Sequence, residues 1–373
     1  MRCPFRHGLC RATSPRGGGK TWRPQGGSCR RSRLRGVPMC IAILLSLTAC
    51  GPKAEPHSST IFAMDTVMNL TIYGEGKVAS GQDMLSLMAA WINEIEGELS
   101  VTKEGSDIHN INANGGNPTQ VSDNTARLLK QALDLCEQTG GTLDITAYPA
   151  IKAWGFTTGE YRVVDETERV ELAEHIDYRC VELDGTSVTL PEGMEMDLGA
   201  VAKGYTGDVL VLGLEEAGIA SALLDLGQST ISAIGTKPDG KPWRIGIQDP
   251  YGEGYLGVLE LNDRSMGSSG NYQRYFEENG QIYGHILDPE TAAPADSGLA
   301  GVTVVADSAL LCDGLGTALF VMGLEEAGDY WAENRHFDAI FIEENGDITV
   351  TAGLKDSFTL AEGYLDREVT ILE

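Results

Sequence analysis

Apolar and polar residues alternate along "FAMDTVMNLTIYG" (62–74), and the run closes on glycine, which predicts a strand. The period then changes. Over 82–97, Met84, Met88, Trp91 and Ile95 recur at helical spacing with Leu85 and Ile92 beside them, an amphipathic stripe that belongs to a core. "SVTKEGSDIHNINANGG" (100–116) has no such period and reads as a polar loop. Helical spacing returns over 123–138, with Leu129, Leu133 and Cys136 on one side and Gly140 placed to cap the end. After "GGTLDITAYPAIKAWGF" (140–156), the charged segment 160–178 is predicted helical around "DETERVELAEHI", and strands follow over 180–190.

"MDLGAVAKGYTGDVL" (196–210) opens the next helix. "SALLDLGQSTISAIGTKPDGKPWRIGIQDP" (221–250) reads as strand, tight loop, strand, turn and strand, with Asp239-Gly240 as a hairpin signal. Further strands are predicted at 255–261, 281–287 and 300–306, a helix at 307–321, and two last strands at 338–342 and 347–351. Helices interspersed with hairpins, without strict strand–helix alternation, indicate an α+β fold. "GLEEAG" occurs at 213–218 and again at 323–328, each copy after a helix and before a strand; six residues of common type are weak evidence of duplication.

Charge divides the chain sharply. Ten of its 28 basic residues and none of its 54 acidic ones lie in the first fifty positions, so the remainder carries 18 basic against 54 acidic residues, a net of −36. Such a body is a poor partner for nucleic acid, whose binding rests on Lys and Arg, and an anionic ligand would need a local cation. Residues 1–50 read as a targeting segment: "RRSRLRG" (30–36) is basic, and "VPMCIAILLSLTAC" (37–50) is apolar but too short to span a bilayer. It ends in Leu47-Thr48-Ala49-Cys50, which resembles a bacterial lipobox with Cys50 as the lipidated residue; the alternative is a plain signal peptide. The stretch before Val37 has no structural logic and suggests a mis-assigned start. Residues 51–60 read as a polar tether, and 61–373 as one domain. Cys136, Cys180 and Cys312 remain in that domain, an odd number without C-x-x-C spacing, so buried free thiols are expected.

No nucleophile elbow, Walker loop or zinc-protease motif occurs. The helix start at 196–210 places Asp197, Gly199 and Lys203 where free N–H groups and the positive dipole end suit an anion such as phosphate. An ordinary helix capped by Asp197, with Lys203 solvated, explains it equally well. Asp313 and Thr317, four apart, share a helix face and offer a hard-metal half-site, though a solvated first-turn acid has the same spacing. His285 follows a strand, and a lone histidine at a strand end is more often structural than catalytic.

Taken together, "MDLGAVAKGYTGD", the 223–250 segment, "SSGNYQRYF", "HILDPETAAPA" and "DGLGTALFVMG" resemble the ApbE family, the FAD:protein FMN transferases, in order and spacing from about Ala63 to about Phe341. The resemblance implies a single α+β, T-fold-related domain that uses Mg²⁺ (or Mn²⁺) and takes FAD as substrate. FMN would pass to a threonine or serine hydroxyl of an acceptor protein, and AMP would be released. It implies that Met64, Thr102, Thr142, Leu143, Asp144, Asp197, Lys203, His285 and Ile286 contact FAD, and that the Ala200 carbonyl, Asp313 and Thr317 bind the metal. His285 falls at the family's active-site histidine and is the candidate base. Gly316 stands where some members carry a second carboxylate, and Thr102 where some carry a stacking tyrosine. Acceptors in envelope redox and electron-transfer systems, a lipid anchor at Cys50, and an outward-facing place in the bacterial envelope are implied as well. Two alternatives remain open at this point: hydrolysis of FAD to FMN and AMP, and a non-catalytic flavin-binding lipoprotein.

Overall fold

The structure, a computed structural model, describes residues 55–373 except Val78. The expected targeting segment, Cys50 and the first part of the expected tether lie outside the described residues. β1 (Pro56–Ala63) and β2 (Thr66–Tyr73) form a hairpin. Residues 62–74, read as one strand, thus contain a turn: Met64 and Asp65 both have positive φ (51° and 58°), the geometry that suits right-twisted strands. Because β1 begins at Pro56, the last five residues of the expected tether are paired in a strand.

α1 (Gly81–Leu99) is capped by Ser80 and buries the predicted stripe. The expected loop contains a helix, α2 (Asp107–Ala113), capped by Ser106 and anchored by buried Ile108 and Ile111. Its two apolar positions are too few to show a period, so tertiary burial decides. β3 (Thr119–Gln120) precedes α3 (Asp123–Gln138), which matches its prediction and ends with Gly140 at φ 65°. α4 (Tyr148–Ala153) and α5 (Glu166–Ala173) follow, then β4 (Glu182–Asp184) and β5 (Ser187–Thr189), which complete a small sheet with β3.

α6 (Ala202–Ala217) leads into β6 (Ala222–Leu226) and β7 (Thr230–Ile234). β8 (Trp243–Gln248) and β9 (Tyr255–Leu261) belong to a separate three-stranded sheet, so the Asp239-Gly240 turn joins two sheets and is not the tip of a hairpin. β10 (Ser265–Gly270) is missed by pattern because its Ser and Gly residues read as a turn. Gly267 is required there: a Cβ would meet the Cys312 backbone carbon at 2.7 Å. β11 (Tyr275–Glu278) and β12 (Gln281–Gly284) form an isolated hairpin, followed by the short pair β13 (Leu287–Asp288) and β14 (Ala293–Pro294).

β15 (Leu299–Ala306) precedes α7 (Ala309–Glu333), which runs past the predicted end through a break at Gly323 (φ 77°). β16 (Asp338–Glu343) and β17 (Ile348–Thr351) are as expected. β18 (Phe358–Leu360) and β19 (Val369–Leu372) add to the core beyond them. Cys136 and Cys312 are buried free thiols, whereas Cys180 is exposed.

The main sheet has nine strands in the order β1-β2-β6-β7-β10-β15-β16-β17-β19. Its first eight form two antiparallel ββαββ units, β1-β2-α6-β6-β7 and β10-β15-α7-β16-β17, joined through β7 and β10. Neither "GLEEAG" copy follows its helix: the first forms the last turns of α6, and the second begins the outer part of α7. Where α6 and α7 cross, Gly204 is packed so closely that a Cβ would meet the Ala309 carbonyl oxygen at 2.3 Å. Gly204→Ala is therefore expected to cost about 1–3 kcal/mol through overpacking. A wild-type denaturation midpoint for that variant would show the contact to be looser.

Candidate active site

Neither helix at the crossing caps itself fully. Val201, the residue before α6, makes no side-chain capping bond, so the Gly204 N–H in the first turn needs a partner from elsewhere. Asp313 of α7 supplies one, its Oδ2 accepting from the Gly204 N–H at 2.8 Å, while Oδ1 accepts from the Thr230 hydroxyl at 2.8 Å. Asp208 of α6 returns the favour, accepting from the Ala309 and Leu310 N–H groups and the Ser308 hydroxyl at the start of α7. Each helix thus caps the other, and both positive dipole ends are held at one place.

Asp313 is buried, so the solvated-acid reading fails. Burial pushes its carboxyl up to about 6, opposed by Lys203 and by the two accepted hydrogen bonds. Thr317 lies one turn on, and its hydroxyl reaches back to the Asp313 carbonyl at 3.5 Å. A Cβ at Gly316 would meet Ser269 Oγ at 2.8 Å, so that hydroxyl fills the space a larger residue would need.

A cavity of ≈ 740 Å³ opens beside this crossing, and all twelve sequence-predicted site residues line it. From the α6 side come Asp197, Ala200 and Lys203. Asp197 is not the helix cap: its Oδ1 accepts from the Gly199 N–H at 2.7 Å, closing a turn before α6 begins. Burial raises its carboxyl, and the Gly199 N–H and the Arg274 charge oppose that. From the β1–β2 turn comes Met64, whose N–H is held by Glu96 Oε1 at 2.8 Å. Thr102, exposed, stands at the end of α1, and Thr142, Leu143 and Asp144 form the loop after α3. Asp144, expected to touch nucleotide, lines the cavity, and its carboxylate also holds its own loop. It accepts from the Thr146 N–H and hydroxyl and from the Tyr178 N–H, so it braces the lining.

The opposite wall carries His285 and Ile286. His285 Nδ1 faces the Arg274 carbonyl oxygen at 3.1 Å. A carbonyl can only accept, so Nδ1 carries the proton and Nε2 keeps its lone pair. Burial, then the positive charges of Arg274 and Lys203, hold the imidazole down to about 4, hence neutral near pH 7. Sequence reasoning missed Arg274, Lys103 and Glu96 in this lining. The available signal was a cation in the quoted "SSGNYQRYF" of a strongly acidic chain.

The donor set fits a hard divalent cation. Asp313 retains lone pairs beyond the two it uses, and Thr317 and the Ala200 carbonyl add neutral oxygens. Among the described residues no group of three or more His, Cys, Asp or Glu could hold a metal, so the protein's contribution would be a partial oxygen shell.

A sequence model of the ApbE family matches residues 64–341. The chain is 30% identical to an FAD:protein FMN transferase of Haemophilus influenzae, over 83% of this chain and 94% of that one. It is 31% identical to that of Treponema pallidum, over 86% and 94%. Among solved structures, the ApbE protein of Thermotoga maritima superposes with a TM-score of 0.75 at 28% identity, over 81% of this chain and 99% of that one. The Pseudomonas stutzeri flavinyl transferase ApbE gives 0.74 at 26% identity, over 83% and 98%. With the family match covering most of the chain and the α+β fold shared with those structures, this protein belongs to the ApbE family.

Proposed function

We propose that this cavity transfers FMN from FAD to a threonine or serine hydroxyl of an acceptor protein and releases AMP. The observation that carries the reading is the meeting, in one cavity, of a histidine with a free Nε2 and a buried carboxylate at two converging helix starts. The acceptor hydroxyl, a weak nucleophile, gives its proton to His285 Nε2 as its oxygen attacks the FMN-side phosphorus. The bond from that phosphorus to the bridging oxygen breaks, and AMP leaves with that oxygen. Asp313, Thr317 and the Ala200 carbonyl would hold Mg²⁺ or Mn²⁺, which when bound supplies charge compensation for the pyrophosphate. Lys203 and the positive dipole end of α6 favour the same anion. In a body of net charge −36, such local positive groups are what keep an anionic substrate bound.

The test is incubation of the purified protein with FAD, Mg²⁺ and a candidate acceptor, followed by in-gel flavin fluorescence. A fluorescent acceptor band supports transfer. Free FMN and AMP without a labelled band would mean hydrolysis, and unchanged FAD on the protein would mean a flavin-binding role.

The acceptors that fit are envelope redox and electron-transfer proteins, and the site of action is the outer side of a bacterial membrane, with Cys50 as the lipid anchor. The basic segment, the short apolar run and Leu47-Thr48-Ala49-Cys50 support this. Among the described residues no helix is long and apolar enough to cross a membrane. Cys50→Ser is expected to move the protein from the membrane fraction to the soluble one; equal membrane retention would rule the anchor out.

A further inference from the structure

Arg274 and His285 occupy one rung at the base of the β11–β12 hairpin. Tyr275 pairs with Gly284, and on the next rung the His285 N–H donates to the Arg274 carbonyl at 3.1 Å. The same carbonyl receives Nδ1 of the imidazole, so the Arg274 backbone sets the tautomer of the candidate base. Its side chain has a different task. The guanidinium is tied to the Phe156 carbonyl, lines the cavity, and makes no salt bridge with a carboxylate among the described residues. A guanidinium steadied by a neutral acceptor keeps both its charge and donors for a ligand.

We infer that Arg274 binds the phosphate of the FMN moiety being transferred, donating to its non-bridging oxygens on the side where His285 receives the acceptor proton. The inference rests on the proposed transfer reaction and adds to it. His285 must reach the hydroxyl that attacks this phosphorus, and Arg274, whose charge acts on the His285 ring, stands on the same rung and lines the same cavity. Lys203 approaches from α6. Negative charge spreads over the non-bridging oxygens as the bridging bond breaks, and a guanidinium fixed beforehand stabilises it without reorganising. The two charged groups acting on the His285 ring, Arg274 and Lys203, are both cations, so Arg274 also keeps the base neutral until the hydroxyl arrives.

Arg274→Gln keeps a donor for the Phe156 carbonyl and leaves the backbone rung intact while removing the charge. Its kcat/KM for transfer should fall on the order of 10²–10³-fold, as for loss of one preorganised donor. The acid limb of its pH profile should move upward, toward the ordinary histidine range. Arg274→Lys, which restores the charge, should return the limb and part of the rate. Melting temperature should change little in either. A structural role predicts a lowered melting temperature with an unmoved limb. That result, or wild-type kcat/KM in Arg274→Gln, overturns the inference. Should the Gln variant fold poorly, the Lys variant decides: a limb shifted as far as expected for full charge loss counts against it. Failure of the wild type to label any acceptor would instead strike the transfer reaction itself.

Discussion

His285→Asn is expected to lower the transfer rate on the order of 10²–10⁴-fold, the usual contribution of a general base. FAD affinity should change little, because Asn can still donate to the Arg274 carbonyl and the other walls of the cavity are untouched. The pH profile separates a base from a structural histidine. Only the neutral imidazole accepts a proton, so the wild-type rate should fall as pH drops through the histidine pKa. That limb should lie near pH 4 in kcat/KM, well below the ordinary 6.5, because burial and the Arg274 and Lys203 charges disfavour the imidazolium. In kcat it should lie higher, since a bound pyrophosphate adds negative charge beside the ring. Stability follows the same sign. With the folded pKa below the unfolded one, the unfolded chain binds the proton first, and His285 costs stability progressively as pH falls from about 6.5 toward 4. Equal transfer by His285→Asn with intact FAD binding would remove His285 from catalysis.

Asp313→Asn is expected to abolish most metal-dependent turnover, while Asp313→Ala is expected to damage the fold as well. A surface-cleft acid could be deleted without structural effect, but Asp313 caps α6 and accepts from Thr230 in a buried site. Alanine would strand the Gly204 N–H and the Thr230 hydroxyl, at about 1–3 kcal/mol for each buried group left unsatisfied. Asparagine keeps an acceptor for the N–H and a donor for the rotatable hydroxyl, so it isolates the charge. Its turnover should fall on the order of 10²-fold or more, since charge compensation at the pyrophosphate is the main electrostatic contribution. Thermal melting with and without Mg²⁺ gives a readout independent of activity: wild type should be stabilised by the metal and Asp313→Asn should not. Without metal, the raised carboxyl pKa means that ionising Asp313 costs stability as pH rises through about 6, and this slope too should vanish in the Asn variant. Metal-induced stabilisation of Asp313→Asn equal to wild type would show that the ion binds elsewhere.

Elements whose pattern is local were legible in the sequence. α1 and α3 carry their apolar period within their own residues, and each appears within two residues of its predicted bounds. Most of the candidate site residues were legible only through family resemblance. Spacing alone could place Asp313 and Thr317 on one face, but could not say whether that face was wet or buried.

The remainder depended on contacts between distant segments. α2 forms because Ile108 and Ile111 find a core, and β10 because Gly267 lets α7 lie against a strand whose composition suggests a turn. The two "GLEEAG" copies gained meaning only once α6 and α7 stood in equivalent places of two ββαββ units. The offset that aligns the copies also places Lys203 opposite Asp313. What the sequence by itself determined is the set of periodic helices and strands and the acidic body with its basic first segment. What only the tertiary structure decided is that Asp313 and Asp208 cap each other's helices, that the Asp144 carboxylate braces a loop, and that Arg274 presents His285 in one tautomer. Periodicity is a property of neighbouring residues, whereas a buried donor or acceptor takes its partner from whichever segment packing brings within reach.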